Sequence, residues 1–300
     1  ADAKAKREEL EMCRSDPQPP PSPQNDRGYG AACSVKIHWI YQVLRGFAPQ
    51  QVFAQTLLGF EVASVDPDVV GINFVMPEDG RISMRDYHLQ MQMLSYLHSI
   101  YPKVHLTLHA GELAQGMVAP EGLTFHIREA VELAHAERIG HGVDVLYEDN
   151  PAALLKEMAA KHIDVEVNLT SNDAILGVKG SDHPLAAYRA AHVPFSLSTD
   201  DEGVARIDLT HEYVRAVLEQ GLGYDDLKYS ARNSLEYSFL PGDSLYLHPG
   251  DYIHRVSVCA APVSSKRPAV AACATFLGHN EKAAQQYELE RRFQAFEVSH

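Results

Sequence analysis

From Val69 to Phe239 the chain repeats one unit, a short apolar run followed by a longer segment with apolar residues at helical spacing. Val69–Val75 (VVGINFV) reads as a strand, and Met84–Ile100 as a helix turning Met91, Met93, Leu94 and Leu97 towards a core. The next pairs are Val104–His109 with Gly122–Ala136, and Arg138–His141 with Pro151–His162, where proline suits a first turn. Ile163–Leu169 with Pro184–His192 follows, and then Pro194–Thr199 with the helices Asp208–Gln220 and Tyr224–Phe239. Upstream, Ala32–Leu44 is rich in β-branched and aromatic residues and predicts a strand. Pro49–Ala63 predicts a helix, with Val52, Leu57, Leu58 and Val62 at helical spacing. Six strands, each followed by a helix, call for an α/β fold with a parallel sheet and right-handed crossovers, because a hairpin cannot join parallel neighbours.

The flanks differ from this repeat. Ala1–Arg14 reads as a charged helix, and SDPQPPPSPQNDRGYG as an exposed loop, since proline removes backbone donors and fixes φ. This predicts an N-terminal segment over 1–31, a catalytic α/β domain over 32–240 and a C-terminal extension over 241–300. Within the extension Gly242–Val270 is loop-like and Asn280–Phe296 a charged surface helix. With 300 residues, 45% of them hydrophobic, a large core is affordable. The formal charge of -14 comes without a basic cluster, which predicts no nucleic-acid partner. No apolar run approaches the roughly 20 residues that span a bilayer, and ADAKAKREEL lacks a signal peptide's apolar core. No membrane partner is therefore expected, and the compartment stays open. Cysteines at 13, 33, 259 and 273 form no C-x-x-C pair. Free thiols are the expectation, with a Cys259–Cys273 bridge as the alternative.

The residues suggestive of chemistry fall at strand ends. In VHLTLHAGE (Val104–Glu112), alternation places His105, Thr107 and His109 on one face and Leu106 and Leu108 on the other. His109 then ends the strand. The small Ala110 and Gly111 allow close approach, and Glu112 lies within reach of whatever His109 holds. His141, Ser171 with Asn172, and Asp200 with Asp201 end the next three strands. Sites on four successive strands fit the C-terminal face of a β/α barrel better than the single switch point of a doubly wound sheet. Six strands nonetheless fall short of the usual eight. Plainer readings exist: a satisfied core histidine beside a capping Glu112, a turn at GHG, and a helix N-cap at Asp200–Asp201. His126, His135, His162 and His183 read as structural.

Taken together, LHAGE (108–112), RIGHGVD (138–144), NLTSN (168–172) and SLSTDDE (196–202) resemble, in order and spacing, the adenosine deaminase family of the amidohydrolase superfamily, over Ala32–Phe239. The resemblance implies a (β/α)8 TIM barrel of amidohydrolase type, with this chain supplying strands three to eight and the first two absent. It implies a Zn2+ cofactor held by His109 and Asp200, with Glu112 protonating the purine ring nitrogen beside the amine-bearing carbon. His141 would orient the attacking hydroxide and stabilise its charge, and Asp201 would bond the five-membered ring. The implied reaction is hydrolytic deamination of adenosine or a related 6-aminopurine nucleoside to ammonia and a 6-oxo purine.

Three departures qualify it. The family's H-x-H ligand pair occurs nowhere in this chain. An N-terminal fragment carrying it, present as a separate chain, is therefore expected to complete the barrel. Met76 stands where the family has a strand-ending glycine beside the purine, and Glu202 replaces the proline after TDD. Adenine or another amine as substrate, or a non-catalytic nucleoside-binding subunit, are the rival readings.

Overall fold

The computed structural model describes residues 36–261, 263 and 270–299. The predicted helix Ala1–Arg14, the Pro-rich loop, Cys13 and Cys33 lie outside the described residues. The chain divides into two units, residues 1–38 and 39–300. Of the first, the described residues 36–38 form no helix or strand.

The second unit contains the predicted alternation. Its strands are β1 (Trp39–Leu44), β2 (Val69–Val75), β3 (Thr107–Ala110), β4 (Arg138–His141), β5 (Asp164–Val167) and β6 (Phe195–Leu197). β1 pairs with β2, and β3, β4, β5 and β6 pair in that order, all parallel. A parallel bridge between Ile72 and Leu106, with the Ile72 amide donating to the His105 carbonyl at 3.0 Å, connects the two groups. Sequential parallel order follows from the crossover helices, which carry the chain back to the same edge each time.

Between the strands lie α1 (Pro49–Val65), α2 (Arg81–Ile100), α3 (His126–Glu132) and α4 (Pro151–Lys161). They are followed by α5 (Leu169–Leu176), α6 (Leu185–Ala190), α7 (Glu202–Ala205), α8 (Leu209–Gln220) and α9 (Tyr224–Glu236). Local chemistry sets several ends. Asp208 caps α8 by accepting from the His211 amide at 2.9 Å, and Gly221 closes it at φ 64. Pro151 opens α4 behind an Asn150 cap. Ile72, Phe74, Leu106, Leu108, Ile139, Val165 and Val167 of the strand region are fully buried against Met91, Leu94 and Leu97 of α2 and Leu154 and Met158 of α4. Each such side chain contributes about 1.5–3 kcal/mol. No helix among the described residues is long and apolar enough to cross a membrane.

Several expectations need correction. On α1 the inward residues are Val52, Thr56, Gly59 and Phe60, while Leu57 and Leu58 face outward. Gly59 decides this, since a Cβ there would lie 2.8 Å from the Tyr41 ring, so only glycine lets α1 approach β1 on that side. The helix predicted over Gly122–Ala136 is a short 3₁₀ turn, Pro120–Leu123, followed by the two-turn α3. Helices α5 and α7 fall in stretches for which the sequence predicted no element, and a further helix, α10 (Ala271–His279), precedes the terminal α11 (Glu281–Ser299). Cys259 and Cys273 are bonded, not free thiols, and the bridge ties α10 into a second small core with Leu245, Tyr252, Ala283 and Tyr287. Arg232 of α9 grips Glu290 of α11 through two bonds of 2.6 and 2.8 Å, which fastens this extension to the sheet-bearing part.

Candidate active site

The C-terminal ends of β2, β3 and β6 open on a cleft of about 440 Å³, lined by Gln42, Met76, Asp79, His109, Glu112, Asp200 and Asp201 among others, and the end of β4 sets the buried His141 beside its His109 and Asp200. At four of these strand ends the backbone turns into positive φ: Met76 (91°), Gly111 (77°), His141 (70°) and Asp200 (53°). Such conformations cost a non-glycine residue about 1–3 kcal/mol and persist only where the surrounding structure enforces them. Gly111 is obligatory in another sense, because a Cβ would sit 2.4 Å from Asp144 Oδ1 and 2.8 Å from Ile127.

His109, His141 and Asp200 present ligand atoms all within 4.8 Å of one another. The geometry thus packs His141 against the expected metal pair. The two rings lie 4.9 Å apart, and His141 Nε2 is 3.9 Å from Asp200 Oδ2. Burial, then the His141 and Arg45 charges, push the His109 imidazole down to about 4, which keeps it neutral as a ligand must be. Ser171 Oγ donates to Asp200 Oδ2 at 2.6 Å and aims that carboxylate. His141 Nδ1 meets the Asn172 amide nitrogen at 2.9 Å and that of Asn168 at 3.3 Å, leaving Nε2 buried without a protein partner among the described residues. The neutral His109 imidazole and the Asp200 carboxylate suit zinc by donor type.

Glu112 reaches over this group, with Oε1 3.7 Å from His141 Nδ1. Burial first, and then the charges of Asp200 and Glu78, push its carboxyl up to about 8, so it holds a proton at neutral pH. Asp201 lies exposed at the rim of the cleft and is the N-terminal neighbour of α7, without a side-chain cap bond. The plain N-cap reading thus holds for position, since Asp201 stands at the N-cap of α7, but no side-chain capping bond accompanies it.

Sequence reasoning missed the layer beneath. Glu78 accepts the amides of Gly111 (3.0 Å) and Glu112 (2.8 Å) and bonds His126 Nδ1. Burial alone would raise this carboxyl, but the His126 and Arg45 charges bring it down to about 2. Arg45, fully buried, donates to the carbonyls of Phe74 (2.8 Å) and His109 (2.7 Å). Asn73 Oδ1 accepts the His109 amide at 3.1 Å. A signal existed: Arg45, Asn73 and Glu78 are polar residues in or just after apolar strands, where an unpaired polar group is costly.

The chain's likeness to known proteins agrees with this layout. Residues 26–246 match the sequence profile described as adenosine deaminase. An adenosine deaminase of Salmonella schwarzengrund is 40% identical over 140 residues, and one of Escherichia coli (strain SE11) 38% over 140. Each match covers 46% of this chain and 39% of the relative, so the chain matches well under half the length of these enzymes. Among solved structures, the apo N6-methyl-AMP deaminase of Arabidopsis thaliana has TM-score 0.53 at 27% identity, over 67% of this chain and 54% of that one. An amidohydrolase from Burkholderia ambifaria with bound Zn has TM-score 0.56 at 18% identity, over 71% and 55%, and this resemblance speaks to the fold alone. With residues 26–246 matched by the profile, and HAGE and TDD residues lining one cleft with His141 of GHG packed beside them, the chain belongs to the adenosine deaminase family.

Proposed function

We propose that this chain carries most of the active site of a zinc-dependent aminohydrolase that deaminates adenosine or a related 6-aminopurine nucleoside. The clustering of His109, Glu112 and Asp200 at one cleft, with His141 packed against all three, carries the reading. His109 and Asp200 would hold zinc, which when bound lowers the pKa of a coordinated water to about 7.

The chain's own groups supply the rest. Glu112, protonated near neutral pH, would donate to the ring nitrogen beside the amine-bearing carbon, so that negative charge does not build on the purine. His141 would stabilise the charge of the attacking oxygen, and Asp201 at the rim would bond the five-membered ring. Met76 lines the cleft where the family has glycine and reshapes its floor, so adenine, a modified nucleoside or another amine is the runner-up substrate. Glu112→Gln should abolish ammonia release while leaving zinc bound. Normal turnover in that variant would remove Glu112 from its role.

The barrel reading extends this proposal. β1 and β6 are the outer strands of the order. Apolar side chains stand exposed at both edges: Trp39 of β1 (60%) and Leu58 of α1 (54%), then Val217 (43%) and Leu218 (78%) of α8. Two further β/α units carrying the H-x-H pair, supplied by an N-terminal segment, would cover both edges, close an eight-stranded barrel and complete the zinc set. Intact mass and N-terminal sequencing of the purified native protein, together with the coding sequence upstream of Ala1, test it. A single polypeptide with no H-x-H, unable to bind zinc after reconstitution, would instead support a nucleoside-binding subunit.

A further inference from the structure

We infer that Asn172 and His183 are positioning residues that lock His141 in the tautomer carrying its proton on Nε2, so that His141 faces the reacting centre as a hydrogen-bond donor and not as a metal ligand. The inference rests on the deaminase reading for its catalytic meaning, but the hydrogen-bond argument stands on geometry alone.

A backbone amide can only donate. The Leu185 amide points at His183 Nδ1 at 3.2 Å, so Nδ1 is the acceptor and the ring proton lies on Nε2. His183 Nε2 is 3.1 Å from the Asn172 side-chain oxygen and donates to it. That fixes the amide the right way round, a choice that atomic positions alone leave open. The reverse orientation would set an N–H of Asn172 against the N–H of His183. The Asn172 nitrogen then faces His141 Nδ1 at 2.9 Å and donates, and a second amide nitrogen, that of Asn168, lies 3.3 Å from the same atom. Nδ1 of His141 is thus the acceptor, and its Nε2 carries the proton.

Burial makes the relay decisive. His141, Asn172 and His183 are 1%, 0% and 2% exposed, so water does not compete for these groups. At the far end Nε2 of His141 is aimed into the site, 3.9 Å from Asp200 Oδ2, with no protein acceptor within hydrogen-bond distance among the described residues. An N–H offers no lone pair, so proximity to His109 and Asp200 does not make His141 a ligand. The group divides into two metal-binding residues and one donor placed to meet negative charge.

Histidine tautomers are read directly by nitrogen NMR of the intact protein labelled with 15N-histidine, the His141 signals being assigned by their loss in His141→Asn. The expected result is a pyridine-like Nδ1 and a pyrrole-like Nε2. The opposite pattern overturns the inference. This readout needs no turnover: an inactive protein with the Nε2–H pattern leaves the relay intact and removes the deaminase reading. Asn172→Asp, nearly isosteric, replaces the donor by an acceptor and should move the proton to Nδ1. Zinc content should hold, with KM little changed and kcat down by roughly the 10⁴-fold seen for a wrong-tautomer histidine in a serine protease. His183→Gln, which keeps a donor towards Asn172, should retain more activity than His183→Phe. A folded Asn172→Asp variant that keeps the Nε2–H pattern, or one with wild-type kcat, overturns the proposal.

Discussion

Met76 offers a direct test of whether a glycine position has been filled by a side chain at a cost. Its φ is 91°, in the region that glycine enters freely and L-residues avoid. A left-handed backbone costs an L-residue about 1–2 kcal/mol through the clash of Cβ with the following carbonyl. Replacing Met76 by glycine alone gives no clean reading, because it also removes thioether contacts. The terminal methyl of Met76 lies 2.7 Å from where a Cβ on Gly46 would be, so the side chain fills the space beside that glycine. The informative comparison is Met76→Gly against Met76→Ala, since both lose those contacts and differ only in Cβ. At an ordinary site glycine is the less stable of the two by about 0.5–1 kcal/mol, owing to its unfolded-state entropy. Here relief of 1–2 kcal/mol of backbone strain should reverse the sign and leave Met76→Gly more stable by about 0.5–1 kcal/mol. Urea unfolding at m of about 2–3 kcal/mol/M would show this as a midpoint higher by a few tenths molar. An alanine variant as stable as the glycine one, or more so, refutes the strain argument and with it the view that Met76 occupies a glycine site.

Two further outcomes are expected. Ser171→Ala removes the 2.6 Å bond that aims Asp200, and zinc affinity, measured by competition with a chelator, should fall about 10–100-fold with the fold unchanged. Burial pushes the Asp164 carboxyl up to about 7, despite the Ser196 hydroxyl bond and the Arg138 charge that oppose the rise. Its unfolded value is about 3.9, so between about pH 4 and 7 the native state holds a proton that the unfolded chain has released, and stability falls as pH rises through that window. Asp164→Asn should flatten this slope in urea titrations and be relatively more stable at pH 8 than at pH 4, whereas a slope equal to wild type would place the proton elsewhere.

The strand–helix alternation was legible because each strand is an apolar run bounded by breakers and each long helix has a periodic face. β2 and β4 coincide with their predicted bounds, and α2, α4, α8 and α9 lie within a few residues of theirs. Short helices were not legible: α5 begins at Leu169 inside the NLTSN motif, and its two turns carry too few residues to show a period. The site was legible where polar residues end strands, as with His109, Glu112, His141 and Asp200. It was not legible where a partner comes from far along the chain, since nothing local to His126 says that Glu78, 48 positions away, accepts a bond from its Nδ1. His183 was read as structural for the same reason, its partner Asn172 being set by the packing of α5 against the segment that leads into α6.

That hidden layer also explains how two glutamates a few ångströms apart hold opposite protonation states. Glu78 sits at the bottom, where the amides of Gly111 and Glu112, His126 and Arg45 all favour its charged form. Glu112 sits above it, buried, facing the charges of Glu78 and Asp200 with Arg45 as a weaker opposing influence. The same Glu78 carboxylate therefore does two things: it fixes the Gly111–Glu112 backbone by accepting both amides, and its charge helps keep the Glu112 proton in place. One carboxyl ionised and one neutral, separated by environment, is the arrangement that general-acid chemistry at neutral pH requires. Because a Cβ at Gly111 would clash with Asp144 and Ile127, and Glu78 accepts both amides, the HAGE turn is held where Glu112 lines the same cleft as His109 and Asp200.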